Sequence, residues 1–351
     1  MKHSIIPLFI PHSGCPHQCV FCNQVRITGR TTPVTPEEVR NKINLYTTGP
    51  GEQKQWEAAF YGGTFTALPP HLIKALLKPA SEAMREGRIT AIRISTRPDA
   101  IDEQILQILL DGGVRTVELG VQSMDQEVLK KSERGHTAEQ VCLAVQQLKK
   151  AGLSVGLQFM VGLPGEDGAS LRRTARRGVR LHPDFIRIYP VLVLEGTALA
   201  DSWRQGQYSP CTLESALCAC AFLKKYYGRH SIPVIRTGLQ ATEELDRGGS
   251  FLAGPYHPAM GELTDQYLFR HAVNHTWKNM KGSPKNIMCH PRDRSKIMGF
   301  RGKNWKEWQT RFGGRLQCRE EASIQPGMII LKTDQEKKEI FPESEIYCYS
   351  R

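Results

Sequence analysis

The feature that most constrains the fold is an alternation of strand-like and helix-like patterns running from the N-terminus to about residue 240. Apolar, β-branched stretches lie at Ser4–Ile10, Glu57–Tyr61, Thr90–Ser95, Thr116–Val121, Ser154–Val161, Phe185–Pro190 and Ile232–Arg236. Helical patterns separate them. The clearest covers His136–Ala151, where Val141, Ala144, Val145 and Leu148 share one face. Thr137 followed by Gln140 forms a capping box there, and Gly152 ends the helix. A second helix takes Asp102 as its cap, runs through Ile105, Ile108 and Leu109, and stops at Gly112. Alternation of this kind builds βαβ units around a parallel sheet. So many units fit a closed or partial barrel better than a short open sheet. The expected class is α/β: a partial (β/α)6 TIM-like barrel over residues 1–240, then a smaller basic α+β accessory region over 241–351.

Past residue 240 the alternation stops, and Gly248-Gly249, Gly254-Pro255 and His257-Pro258 mark irregular backbone. Residues 270–319 hold 13 Lys and Arg against two acids, Asp293 and Glu307, nearly the whole +12 excess of the chain. Trp277, Phe300, Trp305, Trp308 and Phe312 are interleaved with those charges. One reading is an RNA-binding surface, with cations on phosphates and tryptophans stacked on unpaired bases. The other is a solvated basic face with Trp305 and Trp308 as core anchors at helical spacing. A strand-like run follows at Met328–Lys332.

With 40% hydrophobic and 23% charged residues, disorder, collagen and coiled coil are excluded for the chain as a whole. No apolar run approaches the ~18 residues of a membrane span. The opening MKHSIIPLFIP is broken by Pro7 and Pro11 and has no small-residue cleavage site, so no signal peptide is expected. The expectation is a cytoplasmic chain, free of the membrane, with its ten cysteines reduced.

Three of those cysteines, Cys15, Cys19 and Cys22, follow the first strand with C-x3-C-x2-C spacing. Three thiolates on one short loop wrap a metal centre at little closure entropy. Iron–sulfur clusters are normally held by four cysteines, so three leave one iron open to an external molecule. A tetrahedral zinc with His12 or His17 as fourth ligand is the competing reading, although no second knuckle follows. Cys211, Cys218 and Cys220 lie in a helical, apolar stretch and read as core thiols. Cys289-His290 alone makes no metal site.

Four further segments sit where barrel chemistry sits, at the C-terminal ends of strands. Tyr61-Gly62-Gly63-Thr64-Phe65 lets backbone approach a ligand closely, or is a plain turn. Ser95-Thr96-Arg97-Pro98-Asp99 offers an arginine to a carboxylate or phosphate, or pairs Arg97 with Asp99. Glu118–Ser123 ends in Gln122 and Ser123, either ribose or amino-acid ligands or a turn cap. Gly156–Glu166 carries Gln158 inside an apolar strand, where burial would demand a partner.

With the cysteine loop, Tyr61–Phe65, Ser95–Asp99, Val117–Ser123, Arg134-Gly135-His136-Thr137 and Gly162–Gly165, residues 5–240 resemble radical S-adenosylmethionine (SAM) enzymes. Among these the chain is most similar to the Elongator catalytic subunit family, and more weakly to oxygen-independent coproporphyrinogen oxidases. The resemblance implies that Cys15, Cys19 and Cys22 hold three irons of a 4Fe–4S cluster whose fourth iron binds SAM. It sets Phe21 near adenine, Gly62, Gly63 and Thr64 at the methionine amino group, and Gln122, Ser123 and Gly162 against ribose and adenine. Arg134 becomes the candidate for the SAM carboxylate. Reductive cleavage of SAM then yields a 5′-deoxyadenosyl radical that takes hydrogen from the substrate. The implied partners are an RNA, above all tRNA, or a small anionic molecule, together with an electron donor such as ferredoxin or flavodoxin. Residues 241–319 are the natural lid. No R/Q-x-x-G-x-G acetyl-CoA segment occurs in the sequence, so the expectation is chemistry without acetyl transfer. His257 and Glu262 are either substrate contacts or turn residues. A non-catalytic nucleic-acid-binding zinc or cluster protein is the alternative of another class.

Overall fold

The computed structural model describes residues 3–10, 15, 18–23, 32–48, 55–239 and 251–342. His12, His17 and Gly248-Gly249 lie outside them. The barrel half runs β1 (His3–Phe9), α1 (Pro36–Thr47), β2 (Gln55–Tyr61), α2 (Pro70–Arg85), β3 (Ala91–Thr96), α3 (Glu103–Asp111) and β4 (Val114–Gln122). It continues with α4 (Gln126–Lys131), α5 (Ala138–Lys150), β5 (Ser154–Val161), α6 (Gly168–Arg180) and β6 (Phe185–Pro190). A short β7 (Val193–Leu194), α7 (Ala198–Arg204) and α8 (Leu213–Gly228) precede β8 (Val234–Thr237). Beyond it come β9 (Phe251–Ala253), α9 (Met260–Lys278), β10 (Pro284–Cys289), α10 (Arg294–Met298), α11 (Lys303–Arg311), β11 (Gln317–Glu320), β12 (Ile329–Thr333) and β13 (Lys337–Ile340).

The seven apolar stretches read from the sequence all become strands of one parallel sheet, ordered β1-β2-β3-β4-β5-β6-β8. The helices start where local chemistry starts them. Asp102 accepts from the Ile105 amide at 2.8 Å. Thr137 and Gln140 close their capping box from both sides, and Gly152 takes a positive φ of 78° just past the helix end.

Along each strand, alternate side chains face opposite sides. One set, including Phe60, Ile94, Leu119, Leu157 and Ile188, is buried against the helices. Each such side chain contributes about 1.5–3 kcal/mol. The other set is polar: Glu57, Arg93, Glu118, Gln158 and Arg187. Those five cannot face an apolar helix layer, so they define a lumen. The sheet is curled around it. Arg187 Nη2 donates to Tyr61 Oη at 2.9 Å, although β6 and β2 stand four places apart in the sheet, about 19 Å if it were flat. Seven parallel strands thus form a partial TIM-type barrel.

A second core lies beyond it. β11, β10, β12 and β13 form a mixed sheet, and Phe269, Trp277, Ile287, Trp308 and Leu331 pack together there. Of the two readings of the tryptophans, the structure shows the core anchors. Trp308 is fully buried and meets Trp277 edge-on at 5.6 Å, and its indole N–H donates to Asn274 Oδ1 at 2.8 Å. Trp305 packs against the same core. Long helix α9 joins the two cores, with Met260 and Leu263 in the barrel core and Phe269–Trp277 in the second. β9 pairs antiparallel with β7, and Phe251 and Tyr256 cover Leu192 and Leu194 beside the barrel mouth.

At the closed end of the lumen, a Cβ on Gly156 would lie 2.2 Å from the Phe185 ring. That ring is itself capped by the Arg93 guanidinium at 4.9 Å. Gly156→Ala is therefore expected to destabilise the barrel by roughly 1–3 kcal/mol through overpacking, read as a lower denaturation midpoint. An unchanged midpoint would show that Phe185 moves aside freely.

Candidate active site

The strand ends open into one cavity of ≈ 640 Å³. Its wall falls into two sides. On one stand the cysteine loop and the exits of β2, β3 and β4. On the other stand Arg187, Tyr189 and Arg236, from β6 and β8.

On the first side Cys15, Cys19 and Cys22 all line the cavity, and Phe21, Gly62, Gly63, Thr64, Gln122 and Arg134 join them. Gly62 and Gly63 have φ of 80° and 56°, a left-handed turn that side-chain-free residues adopt without strain. Cys15 Sγ and Thr64 Oγ1 share a hydrogen bond at 3.1 Å. Arg134 Nη1 donates to Cys19 Sγ at 3.0 Å, and its Nη2 donates to the Gly120 carbonyl. Both contacts hold a sulfur in place at the cavity wall, and the one from Arg134 brings a cation to it.

The lumen below is a closed set of charges. Arg93 bridges Glu57 and Glu118, each at 2.8 Å. Arg187 meets the other Glu118 oxygen at 3.0 Å, and Gln158 Nε2 donates to that oxygen at 2.9 Å. Gln158, odd in its apolar strand, thus has the partner that burial demands. Sequence reasoning passed over Arg93, Arg187, Tyr189 and Arg236. The signal available for them was a charged or phenolic residue at every second place of otherwise apolar strands.

Two expected ligand contacts stand elsewhere. Ser123 is buried behind the sheet, bonded to Thr174 Oγ1 at 3.0 Å and capping the Asp125 amide at 3.1 Å. Gln122, at φ 67°, turns the chain outward and takes Ser123 with it. Gly162 backs onto Cys211, whose Sγ would lie 2.7 Å from a Cβ there. Its amide is bonded by Glu166 and its carbonyl by Tyr208. Neither residue lines the cavity. Arg97 pairs with Asp99 at 2.9 and 2.8 Å; burial alone would raise that carboxyl, and the Arg97 bonds more than offset it and lower it. Neither His257 nor Glu262 lines the cavity: the His257 ring accepts from the Ala259 amide within its own turn, and Glu262 on α9 accepts from Ser295 on α10 at 2.9 Å.

The donor set fits a cluster with SAM. Three buried polar atoms at this wall, Gln122 Oε1, Arg97 Nη1 and Arg134 Nε, have no partner among the described residues. Together they offer two cationic donors and one neutral acceptor, suited to a ligand with a carboxylate and hydroxyl or amino groups. Among the described residues no three His, Cys, Asp or Glu side chains converge on a single ion. A cubic cluster is wider than one ion, so its thiolates stand farther apart.

Beside this wall His136 is 2% exposed and donates from Nε2 to the Val121 carbonyl at 3.2 Å. Burial, then the charges of Arg134 and Arg97, lower its pKa from 6.5 to about 3. Between those values the unfolded chain holds the extra proton. Stability from this group is complete above 6.5 and falls as pH drops toward 3. His136→Gln is expected to flatten the loss of stability between neutral pH and about pH 4.5 by a few kcal/mol. Denaturant midpoints across that range test this, and an unflattened profile would contradict it.

Comparison with known proteins follows the same division. The Radical SAM superfamily profile matches residues 9–178, and the Radical_SAM C-terminal domain profile matches residues 183–270. The chain is 28% identical over 312 residues to the tRNA uridine(34) acetyltransferase of Methanocaldococcus jannaschii, covering 77% of this chain and 56% of the relative. It is 30% identical over 231 residues to the enzyme of that name from Dehalococcoides mccartyi, covering 56% of this chain and 50% of the relative. The chain thus spans about half the length of the curated relatives it matches. The solved structure of archaeal Elp3 from Methanocaldococcus infernus superposes with a TM-score of 0.61 at 24% identity, covering 78% of this chain and 64% of that one. No helix among the described residues is long and apolar enough to cross a membrane. By its matched domains, its partial barrel and its three-cysteine cavity, the chain belongs to the radical SAM superfamily, enzymes that use a 4Fe–4S cluster and SAM.

Proposed function

We propose that this chain is a radical SAM enzyme that modifies RNA, with tRNA as its substrate class. The observation that carries this reading is the two-sided cavity. Its first side gathers three thiols, a bare Gly62-Gly63 turn and guanidinium nitrogens that have no partner among the described residues, all at the strand ends. Cys15, Cys19 and Cys22 would hold the cluster, Phe21 and Gln122 would border the nucleoside of SAM, and Arg134 or Arg97 would take its carboxylate. When bound, the cluster and SAM would supply a 5′-deoxyadenosyl radical for hydrogen abstraction, with methionine as co-product and one electron drawn from an external donor. The protein's share is to orient and to exclude water. Thr64 and Arg134 fix two of the sulfurs, and Leu192, Leu194 and Leu239 make the mouth apolar.

The RNA reading draws on the relatives' names and on the exposed charge of the second core. Lys278, Lys281, Lys285, Arg292, Lys303 and Lys306 are all exposed. Cations in that number repel one another and favour a polyanion. Such an enzyme belongs in the cytoplasm, where RNA and a low-potential electron donor of the ferredoxin or flavodoxin type are both at hand.

Two measurements test this. Anaerobic reconstitution is expected to give four irons per chain and SAM cleavage to 5′-deoxyadenosine. Both should be lost in the Cys15→Ala, Cys19→Ala, Cys22→Ala triple variant. Zinc in place of iron would overturn the assignment. For RNA, Lys303→Gln with Lys306→Gln and Arg311→Gln on α11 is expected to weaken tRNA binding and to flatten its log–log salt slope by about two units. An unchanged slope would sink this surface as the RNA-binding face.

A further inference from the structure

The second side of the cavity has a charge surplus that the cofactors do not explain. Among the described residues the cavity wall carries four arginines, Arg97, Arg134, Arg187 and Arg236, and no carboxylate. Three of the four are already engaged. Arg97 is paired with Asp99, Arg134 is turned onto Cys19, and Arg187 is paired with Glu118. Deeper in the lumen the two glutamates, Glu57 and Glu118, are balanced by Arg93 and Arg187.

Arg236 is the remainder. It sits directly beside Arg187 in the β6–β8 register, so both side chains leave the sheet on the lumen face. Its Nε donates to the Gly238 carbonyl at 3.1 Å, and no ion pair to it occurs among the described residues. Two phenols, Tyr61 and Tyr189, line the same cavity and meet its neighbour Arg187. Arg187 donates to Tyr61 Oη at 2.9 Å and to Tyr189 Oη at 3.3 Å, so each hydroxyl oxygen already accepts a bond. Their own protons are left to donate into the cavity. Tyr61 keeps its proton, because burial and then Glu118 raise its pKa to about 12.

We infer that Arg236, with the hydroxyls of Tyr61 and Tyr189, anchors an oxyanion of the substrate, and that this oxyanion is a backbone phosphate of RNA beside the nucleotide that enters the lumen. A guanidinium fork with two phenol donors suits a phosphate's several oxygens. A cavity of ≈ 640 Å³ admits a nucleotide but not a helical stem. Arg236 and Tyr189 stand on the β6–β8 side of the cavity and Tyr61 on the β2 side beside Gly62-Gly63, so the three would hold that nucleotide between the two walls. This inference rests on the RNA reading above.

The test follows a stem-loop RNA binding to the full chain by fluorescence anisotropy over a salt series. Arg236→Gln is expected to bind about tenfold more weakly, with a log–log salt slope shallower by about 0.7–0.9, one phosphate contact fewer. Arg236→Lys, which returns the charge without the fork, should recover part of the loss. Tyr189→Phe removes one donor, keeps the ring, and should weaken binding about threefold; it carries the test if Arg236→Gln fails to fold. Wild-type affinity and slope in Arg236→Gln, or in Tyr189→Phe where that variant carries the test, would overturn the anchor and leave the RNA reading standing. No RNA binding by the wild-type chain would overturn the RNA reading and the assignment of the oxyanion to RNA together. An Arg236-dependent rise in melting temperature with inorganic phosphate would then identify a small phosphorylated ligand instead.

Discussion

The Glu118 carboxylate holds the lumen together. It is fully buried, and it takes Arg93 on one oxygen and Arg187 on the other. Burying a charge costs several kcal/mol, and the cost is offset only when partners and hydrogen bonds complete its shell. Here Arg93, Arg187 and Gln158 complete it. Removing one member would strand the others in the interior, a loss on the order of 3–5 kcal/mol. The pairings also join strands that are not neighbours. Through Arg187 the same network reaches Tyr61 on β2, so the ion-pair set fixes the curvature that turns a sheet into a cavity.

From that constraint the division of the site follows. A lumen floor closed by matched charges takes up Arg93 and Arg187, so binding of further anions falls to the remaining nitrogens of the wall arginines. The cations on the wall differ by what restrains them. Arg97 and Arg134 are tied to each other's surroundings, since Arg97 donates to the Arg134 carbonyl at 2.7 Å, and Arg134 reaches the Cys19 sulfur. That links the anion-binding potential of the first side to the metal ligands themselves. Arg187 is linked instead to the phenols of Tyr61 and Tyr189, and Arg236 sits beside it on the last strand of the sheet. One fold thus presents two electropositive walls, one bonded directly to a cysteine sulfur and one held through the lumen network.

Much of this was legible in the sequence where the cause is local. Thr137 and Gln140, or Asp102, cap helices through bonds to residues three places away. C-x3-C-x2-C is a single short loop. Gly62 and Gly63 advertise a left-handed turn that few other residues adopt. What was not legible depends on contacts far apart in the chain. Ser123 and Gly162 stand next to segments that reach the cavity, yet Gln122's positive φ turns Ser123 toward Thr174. Cys211 fills the space beside Gly162. The tryptophans are ambiguous in sequence because spacing on a helix does not say which face is covered. Only the packing of α9 on α11 brings Trp277 and Trp308 together.

The second core shows why the charge excess and the aromatic content separate in space. Trp277 and Trp308 are spent on holding α9 and α11 against the mixed sheet. The cations interleaved with them in sequence are forced outward, because a helix that buries Trp308 must present Lys303 and Lys306 to solvent. The two acids of the stretch are paired within it, Asp293 in the interior and Glu307 at the surface. Asp293 is buried against Lys296 at 2.9 Å, and Glu307 lies 3.9 Å from Arg270. A sequence pattern that could have been a stacking platform becomes a hydrophobic core with an uncompensated basic exterior. Long-range attraction by such an exterior concentrates a polyanion without reading its sequence. Choice of the reacting nucleotide then falls to the cavity, where one guanidinium with no ion pair among the described residues counts for more than many exposed ones.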